Sequence, residues 1–499
     1  MIGLALLLLA CPPARTGGDG PVDLDGGSTD TGGTGDGGTS DGGLTDGGLT
    51  DGGTTDGGTT DGGTTDGGTD GGTAGGILSD LSITMHDSVS TILELSWTQS
   101  VDVDASFVTF SFEDQVLTSP ARARTAGTHT EVLLGIPPGT EVTATVTVES
   151  GTESQTSGAV VGFTGGLPGN LDVPDLVQWD PVKGGDERYA LAAVDVGSYD
   201  FYGPFYVVIL DRQGRVVWYE SVDDSRLTWQ PRASLDGTHL LYEASTYYVY
   251  DSSVKPSIKR LTLDKTQVLE TFIDGMGLAW SEMPDGSLVF DHAETGYEYH
   301  IERLYEDGER ERIWSCYPWM QEYDRGYWAC APNAIVVDYD RNTALYSMFE
   351  TSTVVEIDLD SGEMVRQLGQ IPDGWTFDPE ESTFELQHYP NWTPDGTLLV
   401  STHAIGGGRT QYIREYVLDD ADEVISQVWS YEQPAGFYAE YAGGALRMSN
   451  GNTMITVGTD GAVLEVDPEG GIAWELDWHG HLVGNVTALD DLYALNEGW

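Results

Sequence analysis

From about residue 170 to the C-terminus the chain alternates short apolar runs with tight polar turns. The clearest unit is a turn pair followed by a short apolar strand: LDGTHLLYE at 235–243, PDGSLVFDH at 284–292, PDGTLLVST at 394–402 and SNGNTMITV at 449–457. YDRNTALYS at 339–347 is a degenerate copy and GGDERYALA at 184–192 the faintest. The residue in the Asp slot recurs at 186, 236, 285, 340, 395 and 450, in steps of 49 to 55 residues. A near-constant step of this size marks stacked or radial repeats. A second motif lies between the turns, an apolar strand, an acidic turn and a strand often ending in Trp. It reads VILDRQGRVVW (208–218), LYEDGERERIW (304–314), VEIDLDSGEMV (355–365) and LEVDPEGGIAW (464–474). Two hairpins per repeat make one four-stranded blade, and radial packing of blades leaves few exposed strand edges. The spacing predicts an all-β chain whose residues 170–499 form a six-bladed β-propeller, with seven blades as the alternative. The tail from Thr487 to Tyr493 reads as one more inner strand that completes the first blade. The Asp-Gly and Asn-Gly pairs are expected to be two-residue hairpin turns, which need φ > 0.

Upstream, residues 77–165 carry short strands at period two, such as 91–97 and 142–148, which predicts a β-sandwich. Residues 12–76 are Gly, Asp and Thr in tandem DGGTT units, with Arg15 their one basic residue. Such a stretch lacks the apolar surface to offset chain entropy and reads as a disordered tether. Residues 1–11 are an apolar run ending in Leu8-Leu9-Ala10-Cys11. No stretch is long and apolar enough for a spanning helix.

Composition narrows the partners. The 499 residues hold 81 Asp and Glu against 22 Lys and Arg, a formal net charge of −59. A polyanion of this kind repels nucleic-acid phosphates, so no nucleic-acid partner is expected. Three cysteines are present: Cys11, Cys316 and Cys330. In an oxidising compartment the last two can pair; two buried free thiols are the alternative.

Three resemblances follow from these residues. Leu-Leu-Ala-Cys resembles the lipobox of bacterial lipoproteins, which implies export and a lipid on Cys11 holding the chain to the outer membrane or cell surface. Leu95-Ser96-Trp97 and Ile136-Pro137-Pro138-Gly139-Thr140 are similar to a fibronectin type III domain, with Val142 where that family usually has Tyr. In the propeller, the run from Asn333 to Asp340, the strand Ser352–Asp358, Gln387-His388 and the stretch Gly444–Thr453 resemble, in order, motifs of the bacterial arylsulfate sulfotransferase family.

The resemblance implies small partners, an aryl sulfate donor and a phenolic acceptor, with no cofactor. A neutral imidazole would attack sulfur and hold the sulfuryl group. On this reading His388 is the nucleophile or acid/base and Tyr389 a proton donor, while Arg409 clamps the anion and Asn333 donates a hydrogen bond. The slot of His388, six residues before Pro394, is filled by Trp229, Leu278 and Gly443 in three other blades, and is expected to face the channel. Ala331 stands where the family has His, and Tyr389 where it has an acid. A non-catalytic surface propeller that binds a ligand or protein is the competing expectation. His292 and His403 occupy equivalent strand ends and read as packing residues. His479 and His481 form a His-x-His pair with no third ligand nearby in sequence, and no metal is expected.

Overall fold

A computed structural model describes residues 76–197, 203–222, 226–246, 254–294, 298–323, 330–372, 374–402, 411–433, 439 and 442–498. Cys11, the tether, His403 and Arg409 lie outside the described residues.

Residues 78–163 fold as two antiparallel sheets. One holds the strands Leu78–Met85, Leu93–Gln99 and Gly127–Leu133. The other is built on Val103–Phe112 and Glu141–Ser150. Strict alternation of buried and half-buried positions along 93–99 and 106–112 puts Leu93, Leu95, Trp97, Val108 and Phe110 inside. This is the side-chain period of a strand with one dry face.

The remainder forms six four-stranded sheets in sequence order. Blade 2 comprises 232–233, 240–244, 257–261 and 268–272; blade 3 comprises 276–282, 288–294, 298–304 and 310–315. Blade 4 comprises 332–338, 343–348, 353–358 and 364–369. Blade 5 comprises 388–392, 398–402, 412–419 and 424–432, with 376–378 added in parallel at its outer edge. Blade 6 comprises 444–447, 453–457, 462–466 and 472–477, and Asp175–Trp179 adds to its outer edge. Blade 1 takes three strands from 189–221 and its inner strand, Leu482–Leu489, from the C-terminal end. Leu191 faces Thr487 and Asp195 faces Leu482 across that seam. The ring therefore closes by strand pairing between distant parts of the chain; the closing strand is Leu482–Leu489, so of the expected run from Thr487 to Tyr493 only Thr487–Leu489 belongs to it. One consequence is that Asp186, the faintest repeat, makes no inner hairpin, because its partner strand lies some 300 residues away (the order of a whole propeller).

Neighbouring blades are stitched at their inner strands. Ser281 Oγ donates to Ile335 O at 2.9 Å, Asn333 Nδ2 to Gln387 O at 2.6 Å and Asn391 Nδ2 to Ala445 O at 2.6 Å. Asn485 N donates to Trp229 O at 2.7 Å, which joins blade 1 to blade 2. These bonds satisfy carbonyls that would otherwise face the centre unpaired.

The inner turns differ from the expectation. Gly237, Gly286, Gly396 and Gly451 each donate to the carbonyl three residues back, with φ between 73° and 90°. The Asp or Asn before each has no positive φ. In three of the four its carboxylate or amide oxygen instead accepts a backbone N–H two residues on, Thr238 N to Asp236 Oδ1 (3.1 Å), Ser287 N to Asp285 Oδ1 (3.1 Å) and Asn452 N to Asn450 Oδ1 (2.9 Å), while in blade 5 Thr397 N donates to Thr393 Oγ1 at 3.3 Å. These are type I turns with a glycine bulge, and the side-chain bond explains the preference for Asp and Asn.

The disulfide forms. Cys316 and Cys330, both buried, are joined with their Cα atoms 6.0 Å apart. Cys316 opens the short helix Cys316–Glu322, capped by Ser315 Oγ, and Cys330 precedes the inner strand of blade 4. The bond thus staples the crossover between blades 3 and 4. The sandwich shares a core with blade 1, where Val89, Ile92 and Leu134 join Tyr189, Leu191 and Phe205. Tyr493 near the C-terminus donates to Val132 O at 3.0 Å, and Arg122 pairs with Glu497 at 2.6 Å.

Candidate functional site

A cavity of about 130 Å³ opens between the inner strands of blades 1, 2, 5 and 6. Gln230, Arg232, Tyr389, Gly444, Thr456 and Asn485 bring its polar and open surfaces together. Gly444 creates space here: a Cβ on it would lie 2.6 Å from Asn485 Oδ1 and 3.4 Å from the Tyr389 Cβ. Tyr389 has φ of 46°, rare for a bulky side chain, at a strand irregularity between His388 and Asn391. That irregularity sets which residues face the cavity.

The four slots aligned by sequence do not line it. Trp229 and Leu278 belong to the core cluster packed around blades 1 and 2. The cavity is lined instead by the next residue along each strand, Gln230, Tyr389 and Gly444. A one-residue offset moves a strand side chain to the opposite face. The repeat alignment locates the right strands and takes the wrong face.

His388 is half-buried. Its Nδ1 lies 3.3 Å from Leu386 O, and its ring meets that of Phe349 edge-on at 4.8 Å between centroids. Burial pulls its pKa down to about 4, against the opposing pull of the Leu386 carbonyl, so the imidazole is neutral at pH 7. Asn333 spends its amide on Gln387 O, one residue before His388, and so fixes the strand that carries it. Gln387 is wholly buried and donates to Ser347 Oγ, Met348 O and Thr353 O, each at 3.1 Å. The Gln-His pair therefore combines a clamp between blades 4 and 5 with a partly exposed imidazole.

Arg232 is not singled out by the sequence motifs. Its guanidinium lies 4.1 Å from the centre of the Trp280 ring. It donates to Gln230 Oε1 at 3.0 Å and to Trp280 O at 3.1 Å. No ion pair engages it among the described residues. Arginines elsewhere in the propeller mostly meet carboxylates: Arg212 with Glu465, Arg260 with Glu282, Arg303 with Asp285, Arg366 with Asp420, Arg447 with Glu415. Its place before an inner turn, two residues ahead of Ser234, is the available signal.

Two buried carboxylates hold the inner strands from behind. Glu243 accepts from Trp229 N at 2.5 Å, Gln230 N at 3.1 Å and Trp280 Nε1 at 3.1 Å. Asp291 accepts from Ala279 N at 2.7 Å. Burial outweighs these bonds and pushes both up to about 7. His479 and His481 pair instead with Asp175 at 2.9 Å and Asp172 at 3.0 Å.

No protein-family model matches the chain, and no curated protein matches it. Solved structures with a related arrangement include a chain of a nidogen–laminin complex, with 15% identity over 61% of this chain and 99% of that one, at a TM-score of 0.37. Virginiamycin B lyase from Staphylococcus aureus matches with 12% identity over 60% of this chain and all of that one, at 0.35. A streptogramin B lyase matches with 14% identity over 57% of this chain and 87% of that one, also at 0.35.

Proposed function

We propose that the protein is a cell-envelope β-propeller that binds a small organic anion at its central channel. The observation that carries the reading is Arg232, a guanidinium beside the cavity whose contacts are to neutral oxygens and an indole face. In a chain of net charge −59, a channel cation that makes no direct ion pair among the described residues suits an anionic guest. Gln230 and Asn485 offer amide donors, and Tyr389 an aromatic wall. An aryl sulfate is the ligand class that the sequence resemblance favours. The apolar run ending at Cys11 supports anchoring through a lipid, with the Gly/Asp/Thr segment as spacer.

A second reading, sulfuryl transfer, is favoured by the neutral imidazole of His388. Its ring nitrogen would form a bond to sulfur as the sulfur–aryloxy bond breaks. The phenolate leaves and takes a proton from water, since Tyr389 lines the cavity and His388 does not. A phenol acceptor then loses its proton to the hydroxide so formed, attacks sulfur and regenerates the imidazole. Arg409 is the anion clamp of this reading.

The experiment is calorimetric titration of the full chain with 4-nitrophenyl sulfate, beside a nitrophenol-release assay with added phenol. Binding without release, weakened about 10-fold or more in Arg232→Gln, is expected. Equal affinity in wild type and Arg232→Gln sinks the channel assignment. Release that vanishes in His388→Ala establishes the transfer reading in its place.

A further inference from the structure

The face of blade 3 carries a cluster outside the channel. His292 and His300 are directly opposed on adjacent antiparallel strands, and Glu302 is two residues beyond His300 on the same face. His292 Nδ1 lies 2.8 Å from Glu302 Oε1, His300 Nε2 lies 2.8 Å from the same oxygen, and the two nitrogens are 3.0 Å apart. His300 is fully buried and Glu302 nearly so. Three donor atoms thus converge on one point.

Hydrogen bonds satisfy only two edges of this triangle. If both imidazoles donate to Glu302 Oε1, two N–H groups confront each other across 3.0 Å. If His300 donates to both neighbours, the His292 lone pair confronts a carboxylate oxygen at 2.8 Å. A cation at the centre accepts all three lone pairs at once. Two imidazoles and one carboxylate form the donor set of an open zinc site, with a fourth position for water. Donor atoms around tetrahedral zinc lie about 3.3 Å apart for bonds near 2.0 Å. The triangle needs to open by only a few tenths of an ångström.

We infer that His292, His300 and Glu302 bind one divalent transition-metal ion of the zinc class, and that Arg310 stands in for its charge in the metal-free protein. Arg310 contacts the second oxygen of Glu302, lies 3.3 Å from His292 Nδ1 and donates to Asp274 O at 2.9 Å. It also lines a groove of about 630 Å³ between blades 2 and 3, together with Arg260, Asp274 and Tyr305. That groove is the entry path, and withdrawal of Arg310 from His292 opens the third donor. In sequence His292 reads as a packing residue and no metal is expected; the signal that reading misses is His300-x-Glu302, one hairpin after His292.

The test is zinc binding by the full chain after chelator dialysis, measured by competition with a chromophoric chelator. A polyanion binds divalent ions loosely at many places, so the readout is one tight equivalent per chain. His292→Ala and Glu302→Gln should weaken that equivalent at least about 100-fold, while the double change His479→Ala, His481→Ala leaves it in place. Arg310→Gln should tighten it or leave it unchanged, because a competing cation is gone. Cobalt substitution gives a check that needs no variant: an intense visible band marks a four-coordinate site, whereas the weak pink aquo spectrum refutes the proposal. No tight equivalent, or one that survives His292→Ala, equally overturns it.

Discussion

Glu243→Gln separates the charge of a buried carboxylate from its hydrogen bonds. The Glu243 side chain is fully buried and holds Trp229, Gln230 and Trp280. Burial raises its pKa from 4.5 to about 7 in the folded chain. Below pH 4.5 both states carry the proton and the difference between them has no effect. Between pH 4.5 and 7 the unfolded state releases its proton while the folded state keeps it. Stability contributed by the protonated group is therefore lost as pH rises through this window and is constant above it. A tenfold difference in proton affinity between the two states corresponds to roughly 1.4 kcal/mol, so the loss is on the order of 3 kcal/mol. Glutamine keeps an acceptor for the two backbone N–H groups but turns an amide donor toward Trp280 Nε1, which costs about 1–3 kcal/mol at every pH. His239 and His388, both lowered to about 4 by burial, act in the opposite direction over the same range, so the wild-type profile alone hides the effect. The assay is urea unfolding followed by tryptophan fluorescence at several values from pH 4.5 to 7.5. Wild type should exceed Glu243→Gln most at pH 4.5, with the gap narrowing by about 3 kcal/mol by pH 7. A gap that stays constant across the range refutes the reasoning, because it means the carboxylate titrates alike in both states.

Other expectations follow from single features. Closing a loop of about 15 residues contributes on the order of 3 kcal/mol in the chain-entropy model, so reductant should lower the melting temperature of wild type and not that of Cys316→Ser, Cys330→Ser. Gly396→Ala meets no atom within 4 Å but must hold φ at 76°, so it should cost about 1 kcal/mol or more in unfolding free energy, whereas Gly158→Ala, equally open and without that φ, should cost little. Gly444→Val should abolish anion binding by filling the channel without altering cobalt spectra at blade 3; retained binding would place the ligand elsewhere. Cys11→Ser should move the protein from the membrane fraction to the soluble one, and unchanged retention counts against the lipid.

The architecture was legible because the propeller repeats one local rule. In blades 2, 3 and 6 the inner turn combines a glycine with φ between 73° and 90° and an Asp or Asn whose side chain caps the following strand, and both leave a two-letter trace. The outer hairpins leave another, in the Trp that ends them: Trp218 and Trp474 are both buried to within 1%. Ring closure is readable in part: the expected inner strand, 487–493, overlaps the observed strand Leu482–Leu489 at its last three residues, because the apolar run begins earlier and Asp490-Asp491 end it. The faint copy at Asp186 is weak for a physical cause: the inner strand before it comes from the other end of the chain, so no turn was needed there.

The sites were harder to read because strand chemistry depends on face as well as position. A repeat alignment fixes which strand a residue occupies, but the irregularities at Tyr389 and between Met276 and Trp280 change which side faces the centre. His388 thereby aligns with Trp229, a core residue, while its neighbour Tyr389 takes the cavity. The histidine cluster has the reverse problem. His292 and His300 are eight residues apart, and only the register of one hairpin makes them cross-strand partners. A slip of one residue in that register would turn one ring to the opposite face and dissolve the triangle. Residues that act together across a sheet are coupled by pairing, which motif spacing along a single strand does not record. That coupling makes register the quantity on which the metal proposal depends: a one-residue insertion between Glu294 and Glu298 that slips the pairing should remove the tight zinc equivalent while leaving all three ligand residues in the chain.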